Sequence, residues 1–217
     1  MAKGTVFNTI HSFTDLHLIQ QSVNVQPAKP KLNLVDVPGS NGSKDLTEAL
    51  GVGVKYNDLE ITWTFALYPG DDWAEKQMQV SNAINGIRCP IFLDCDNGEW
   101  YYIGRVSVEE YKSDKLLHQI TVRAVCSPYK KRSSETVVQE TLTAEEKVLA
   151  LSVGAMPLVP TITNDVETTI AYNGATVTLP PGTHVLPTLR MKWTANLTAK
   201  TTSGTGTITV TWREGSL

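Results

Sequence analysis

In the stretch EITWTFAL, residues 60–67, apolar Ile61, Trp63 and Phe65 alternate with polar Glu60, Thr62 and Thr64. A period of two sends successive side chains to opposite faces of an extended backbone, so this segment can bury one face only as a β-strand. Strand-like patterning recurs over residues 6–13, 16–25, 32–37, 91–94, 100–108 and 116–126. The period changes once. In DDWAEKQMQVSNAINGIR, Trp73, Gln77, Val80, Ile84 and Ile87 fall at spacings of four, three, four and three, which is one face of a helix. Asp71 or Asp72 caps its start, Glu75 lies in its first turn, and Asn85-Gly86 supplies a left-handed stop.

SPYKKRSSE, residues 127–135, reads as a polar linker, and the composition shifts beyond it towards Thr, Val and Gly. Two domains are therefore expected, 1–129 and 130–217. In the second, TTIAYNGATVTL predicts a hairpin, because Asn173-Gly174 tolerates the positive φ angles of a type I′ turn. Pro180-Pro181-Gly182 turns the chain, and residues 184–189, 195–199 and 206–213 add short strands of the kind found in small sandwiches and jelly rolls. Thr143 and Glu146 have capping-box spacing, but Leu149, Leu151 and Val153 alternate, which reads as strand. The fold class is mainly β, with two sandwich domains and one packed helix.

Hydrophobic residues make up 41% of the 217 and charged residues 19%, enough apolar material for a core in each domain. A formal net charge of −3 is no basis for gripping a phosphate backbone. No eighteen-residue apolar run predicts a membrane span, and the first thirteen residues lack the apolar core of a signal peptide. Cys89, Cys95 and Cys126, an odd number, read as reduced thiols.

The stretches with the composition of reactive or ligand-binding loops read as turns and caps. VDVPGSNGSKDLTEALG, residues 35–51, contains Gly39 and Gly42, but no GxxxxGK[ST] spacing and no following helix to bind phosphate. DCDNGE, residues 94–99, places its glycine fifth and Arg105 twelfth, unlike a calcium loop, and Asn97-Gly98 is a hairpin signal. His11, His17, His118 and His184 stand isolated, and the acid pairs Asp71-Asp72 and Glu109-Glu110 have no facing base. No catalytic site, metal site or cofactor is expected. Tyr172, Trp193 and Trp212 are candidate sugar platforms in the second domain, although three aromatics are what a core of that size needs.

A set of motifs runs along the chain: Phe7, Asn8, Ser12, Asp15 and Leu18; a proline at 27 or 30; VPG-x-x-G-x-x-DLTE from Val37 to Glu48; Trp63-Thr64-Phe65; and the helix ending at Asn85-Gly86. It continues in Met156-Pro157, Val159-Pro160-Thr161-Ile162, Leu179 with Gly182, and the closing TVTWREGSL. Together these resemble the distal tail protein of long-tailed phages that infect Gram-positive bacteria. The resemblance implies a tail-tube-like N-terminal domain and a galectin-like C-terminal sandwich. It implies a homohexameric ring at the tail tip of the virion, assembled in the host cytoplasm. The tail tube protein and a tail-associated fibre or lysin protein are its implied partners, with receptor-binding proteins a further class. DNA passes through the ring without specific binding, and no membrane is entered.

Under that resemblance the loop carrying Val37, Pro38, Gly39, Asp45, Leu46 and Thr47 is expected at the interface between subunits, with Asp45 accepting bonds from nearby amides. The competing reading is a carbohydrate-binding module that touches the host surface.

Overall fold

A computed structural model describes residues 4–49, 53–114 and 117–217; Leu116, the expected start of a strand, lies outside them. The chain forms two compact units, one running up to Lys130 and one spanning Lys131–Ser216.

The first unit contains β1 (Val6–Phe7), β2 (Ile10–His11), β3 (Leu18–Gln26), β4 (Leu34–Asp36), β5 (Ser43–Asp45), β6 (Leu59–Leu67), α1 (Trp73–Ile84), β7 (Arg88–Phe92), β8 (Trp100–Ser113) and β9 (His118–Cys126). Its main sheet runs in the order β2-β1-β7-β8-β9-β6-β3, with antiparallel neighbours throughout. The alternating residues of β6 behave as their period requires: Ile61, Trp63 and Phe65 are fully buried, and they share a core with Val80 and Ile84 of α1. Phe7 meets the Trp63 ring edge-on at 5.1 Å.

Residues 6–13, expected as one strand, fold back on themselves. Asn8 takes φ 59°, Val6 pairs with His11 and Phe7 with Ile10, and the Asp15 carboxylate accepts from His11 N at 2.7 Å. Asparagine enters the left-handed region readily, which allows so tight a turn. The helix starts on Asp72, whose carboxylate accepts from Glu75 N at 2.9 Å. It stops where Gly86 takes φ 81°, and Gly86 N donates to Val106 O of β8. The buried stripe differs from the expected one: Lys76, rather than Gln77, lies inside with Val80 and Ile84. Its ammonium is held 3.2 Å from Asp71 and 2.8 Å from Gln79 Oε1, which is what lets a lysine be buried.

The expected linker contains a strand, β10 (Lys130–Arg132). Arg132 N donates to Glu214 O at 2.9 Å and its guanidinium pairs with the Glu214 carboxylate, so the polar run is structured by partners far along the chain.

The second unit continues with β11 (Thr136–Leu142), β12 (Lys147–Leu158), β13 (Thr161–Asn164), β14 (Thr168–Tyr172), β15 (Ala175–Leu179), β16 (Gly182–Val185), β17 (Met191–Thr201), β18 (Gly206–Trp212) and β19 (Gly215–Ser216). Two four-stranded sheets, β11-β18-β13-β16 and β12-β17-β14-β15, enclose a core that includes Leu151, Val153, Ile162, Leu197, Ile208 and Val210. Asn173 and Gly174 take φ 49° and 79°, the values a type I′ turn needs. Residues 147–158 are strand, as their alternation predicts. Asn164, buried between elements, ties a corner by donating to Val166 O and Pro180 O. Of the three aromatics expected inside, Trp212 is buried and Tyr172 half-buried, whereas Trp193 is turned out, 62% exposed.

Candidate interaction surface

Between β3 and β6 the chain leaves the main sheet and forms a separate two-stranded sheet. Pro30 bridges Tyr56, Lys31 N donates to Lys55 O, and Asn57 N donates to Lys29 O, so the outgoing and returning limbs pair at the base. Further out, β4 and β5 match Leu34 with Asp45, Val35 with Lys44 and Asp36 with Ser43. The connecting turn carries Val37, Pro38 and Gly39. Ser40 N donates to Val37 O, while Gly39 at φ 84° and Gly42 at φ 74° supply the left-handed positions. A strand follows this turn, so no helix N-terminus faces it.

Asp45, Leu46 and Thr47 close the arm. The Asp45 carboxylate accepts from Thr47 N at 2.9 Å, and its bonds to Thr47, side chain before backbone, hold its pKa below the ordinary value of 3.8. Thr47 Oγ1 accepts from Asn33 N at 3.0 Å, and Leu46 N donates to Asn33 O. The six residues singled out in the sequence therefore belong to one hairpin arm: three form its tip and three its return.

The arm is hydrogen-bonded internally but uncovered. Leu32 and Leu34 are 60% and 54% exposed, and Val35, Val37, Leu46 and Val54 are exposed as well. A two-stranded ribbon with three-residue strands is marginal in water, and its apolar side chains gain nothing until another surface covers them. The strand pattern expected over residues 32–37 is present in part, as β4 (Leu34–Asp36), but the apolar side chains of that stretch, Leu32, Leu34, Val35 and Val37, lie exposed rather than in the core.

The other candidate residues are dispersed. His11 Nδ1 accepts from Phe13 N, His17 lies 3.4 Å from Asp71, His118 stacks on Trp73 at 4.8 Å, and His184 contacts Pro180 O. Asp96 pairs with Lys130. No group of three or more His, Cys, Asp or Glu able to hold a metal comes together among the described residues. Nor, among those residues, is any helix long and apolar enough to cross a membrane. Cys89 and Cys126 are buried free thiols and Cys95 an exposed one.

No protein-family model matches the sequence, and no curated protein does. Among solved structures, the chain is similar to the Dit protein (gp 19.1) of SPP1, whose crystal structure is described as a paradigm of the hub adsorption apparatus in phages that infect Gram-positive hosts. The TM-score is 0.69 at 14% sequence identity, and the match covers 100% of both chains. From end to end, the fold of this chain is that of Dit.

Proposed function

We propose that this protein is a structural hub of a phage tail tip. In this reading the first domain, residues 1–129, closes into a hexameric ring, and the second, residues 130–217, forms the outer part. One face of the ring meets the tail tube, and the other meets a tail-associated fibre or lysin protein, with receptor-binding proteins attached where the particle carries them. DNA passes through the central channel, where a subunit net charge of −3 favours passage over adhesion. The protein acts without catalysis or cofactor, at the virion tail tip, after assembly in the bacterial cytoplasm.

The observation that carries this reading is the whole-length fold likeness to a hub protein. The arm supports it physically. A ring requires two different surfaces that meet by rotation, and an apolar hairpin uncovered on its own subunit suits one of them. Val37, Pro38, Gly39, Asp45, Leu46 and Thr47 are the proposed interface residues, the first three shaping the tip and the last three bracing it.

Light scattering after size exclusion, with negative-stain images of the peak, tests the assembly. A mass of about six protomers and annular particles are expected. A chain that stays monomeric both alone and with tail tube and tail-associated proteins overturns the reading.

A further inference from the structure

Alternation along β17 sends Met191, Ala195, Leu197 and Ala199 into the core, and would send Trp193 there too. Its backbone is left-handed instead, with φ 61°, and its indole stands in solvent. Opposite it in β12 is Gly154 at φ 85°, with the register shifting on both sides of the pair. A left-handed conformation is unusual for so bulky a residue, and here both strands depart from regular pairing around the turned-out ring. Local strain of this kind concentrates where a side chain is used.

The surroundings indicate what the ring meets. Ser152, paired with Thr194, and Asn196 two residues on are exposed, so hydroxyl and amide groups border the indole along the two strands. Lys192 Nζ lies 5.6 Å from the ring centroid. Arg190, two residues earlier, lines a hollow together with Tyr172, Asn173 and Thr188. In the same unit Arg132, Lys147, Lys200 and Arg213 each pair with a carboxylate, whereas Arg190 and Lys192, like Lys131 far away in sequence, have no such partner among the described residues. A protein-binding hot spot gathers apolar neighbours that exclude water around its aromatic anchor. Here the chain neighbours are Lys192 and Thr194.

We propose that the surface formed by Trp193, Lys192 and Arg190 binds an acidic saccharide. The apolar face of a sugar ring stacks on the indole face that Lys192 leaves open, its hydroxyls bond the Ser, Thr and Asn side chains, and its phosphate or carboxylate answers Lys192 and Arg190. The inference is independent of the ring reading, because binding is measurable on a monomer and on a ring alike.

The test presents the full chain to an array of neutral, phosphorylated and uronic-acid oligosaccharides, then titrates a retained glycan while following the Trp193 indole N–H resonance. Acidic glycans are expected to be retained above neutral ones and to shift that resonance. Trp193→Asn should weaken binding about tenfold, the scale of one aromatic contact, and Trp193→Phe should weaken it less. Asparagine accepts a left-handed backbone, so Trp193→Asn should melt no lower than the parent. Arg190→Gln with Lys192→Gln should abolish the preference for acidic over neutral glycans. Retention of no acidic glycan, or retention undiminished by Trp193→Asn, overturns the proposal. So does inorganic phosphate binding as tightly as the sugar phosphates, which would make this an anion site only. Loss of self-assembly in Trp193→Asn with glycan binding intact would also overturn it, making Trp193 an interface residue.

Discussion

Trp63 and Thr5 lie 58 positions apart and meet in the core, where the indole Nε1–H donates to Thr5 Oγ1 at 2.9 Å and both residues are fully buried. Thr5 also donates to Gln20 Oε1 through its hydroxyl, and its backbone N–H reaches Ser12 Oγ. One threonine thus ties the N-terminal segment, β3 and β6 together. Replacing it by valine preserves shape but leaves the buried indole N–H unpaired. Thr5→Val should therefore cost about 1–3 kcal/mol, read as a lower urea midpoint at unchanged slope. An unchanged midpoint would show that the indole finds another acceptor.

The helix cap is a second, local test. Asp72→Ala removes the acceptor for Glu75 N and should lower stability by about 0.5–2 kcal/mol, with most of the loss restored by Asp72→Ser. If serine recovers nothing, charge rather than capping geometry is what Asp72 contributes.

The arm separates folding from assembly. Leu32→Asp puts a carboxylate on the most exposed apolar residue of the arm, clear of the Leu34–Asp45 pair, so the subunit's own stability should change by no more than about 0.5 kcal/mol. Formation of the proposed ring should fail, because the same carboxylate would be buried without a partner at the proposed interface. Asp45→Ala and Pro38→Ala should weaken the ring less, since they loosen the arm without charging its surface. Rings of parental stability in all three variants would remove the arm from the interface.

Alkaline pH should act through the first unit. Burial pushes the Cys126 thiol from its usual 9.0 up to about 12, and Tyr102 likewise to about 12. A group with a raised folded pKa contributes stability that is complete below its unfolded pKa and lost as pH climbs through the folded one. Stability should therefore fall between about pH 9 and 12, and Cys126→Ala should flatten that decline even where it lowers the starting value. The same burial predicts thiol reactivity: iodoacetamide should label Cys95 on the native chain, and Cys89 and Cys126 only after unfolding.

Where local rules suffice, the fold is legible in the sequence. Ile61, Trp63 and Phe65 needed only a period of two, Asp72 and Gly86 only cap chemistry, and Asn173-Gly174 only the φ angles of one turn. The arm was half legible: its turn residues announce themselves, but an exposed strand and a buried one have the same apolar spelling. Leu34 and Val35 look like core until the structure leaves them uncovered.

What the sequence determined by itself was the kind of each element, because strand, helix and tight turn follow from residues a few positions apart. The tertiary structure alone decided which side chains those elements bury. Lys76 lies inside because Asp71 and Gln79 converge on its ammonium, and Arg132 joins a strand because Glu214, from the far end of the chain, meets it. Trp193 lies outside because two strands break register together at Gly154. The last two depend on partners distant in sequence, which no local pattern encodes. The first has its partners nearby, at Asp71 and Gln79, but only packing of the helix decides that Lys76 faces inward.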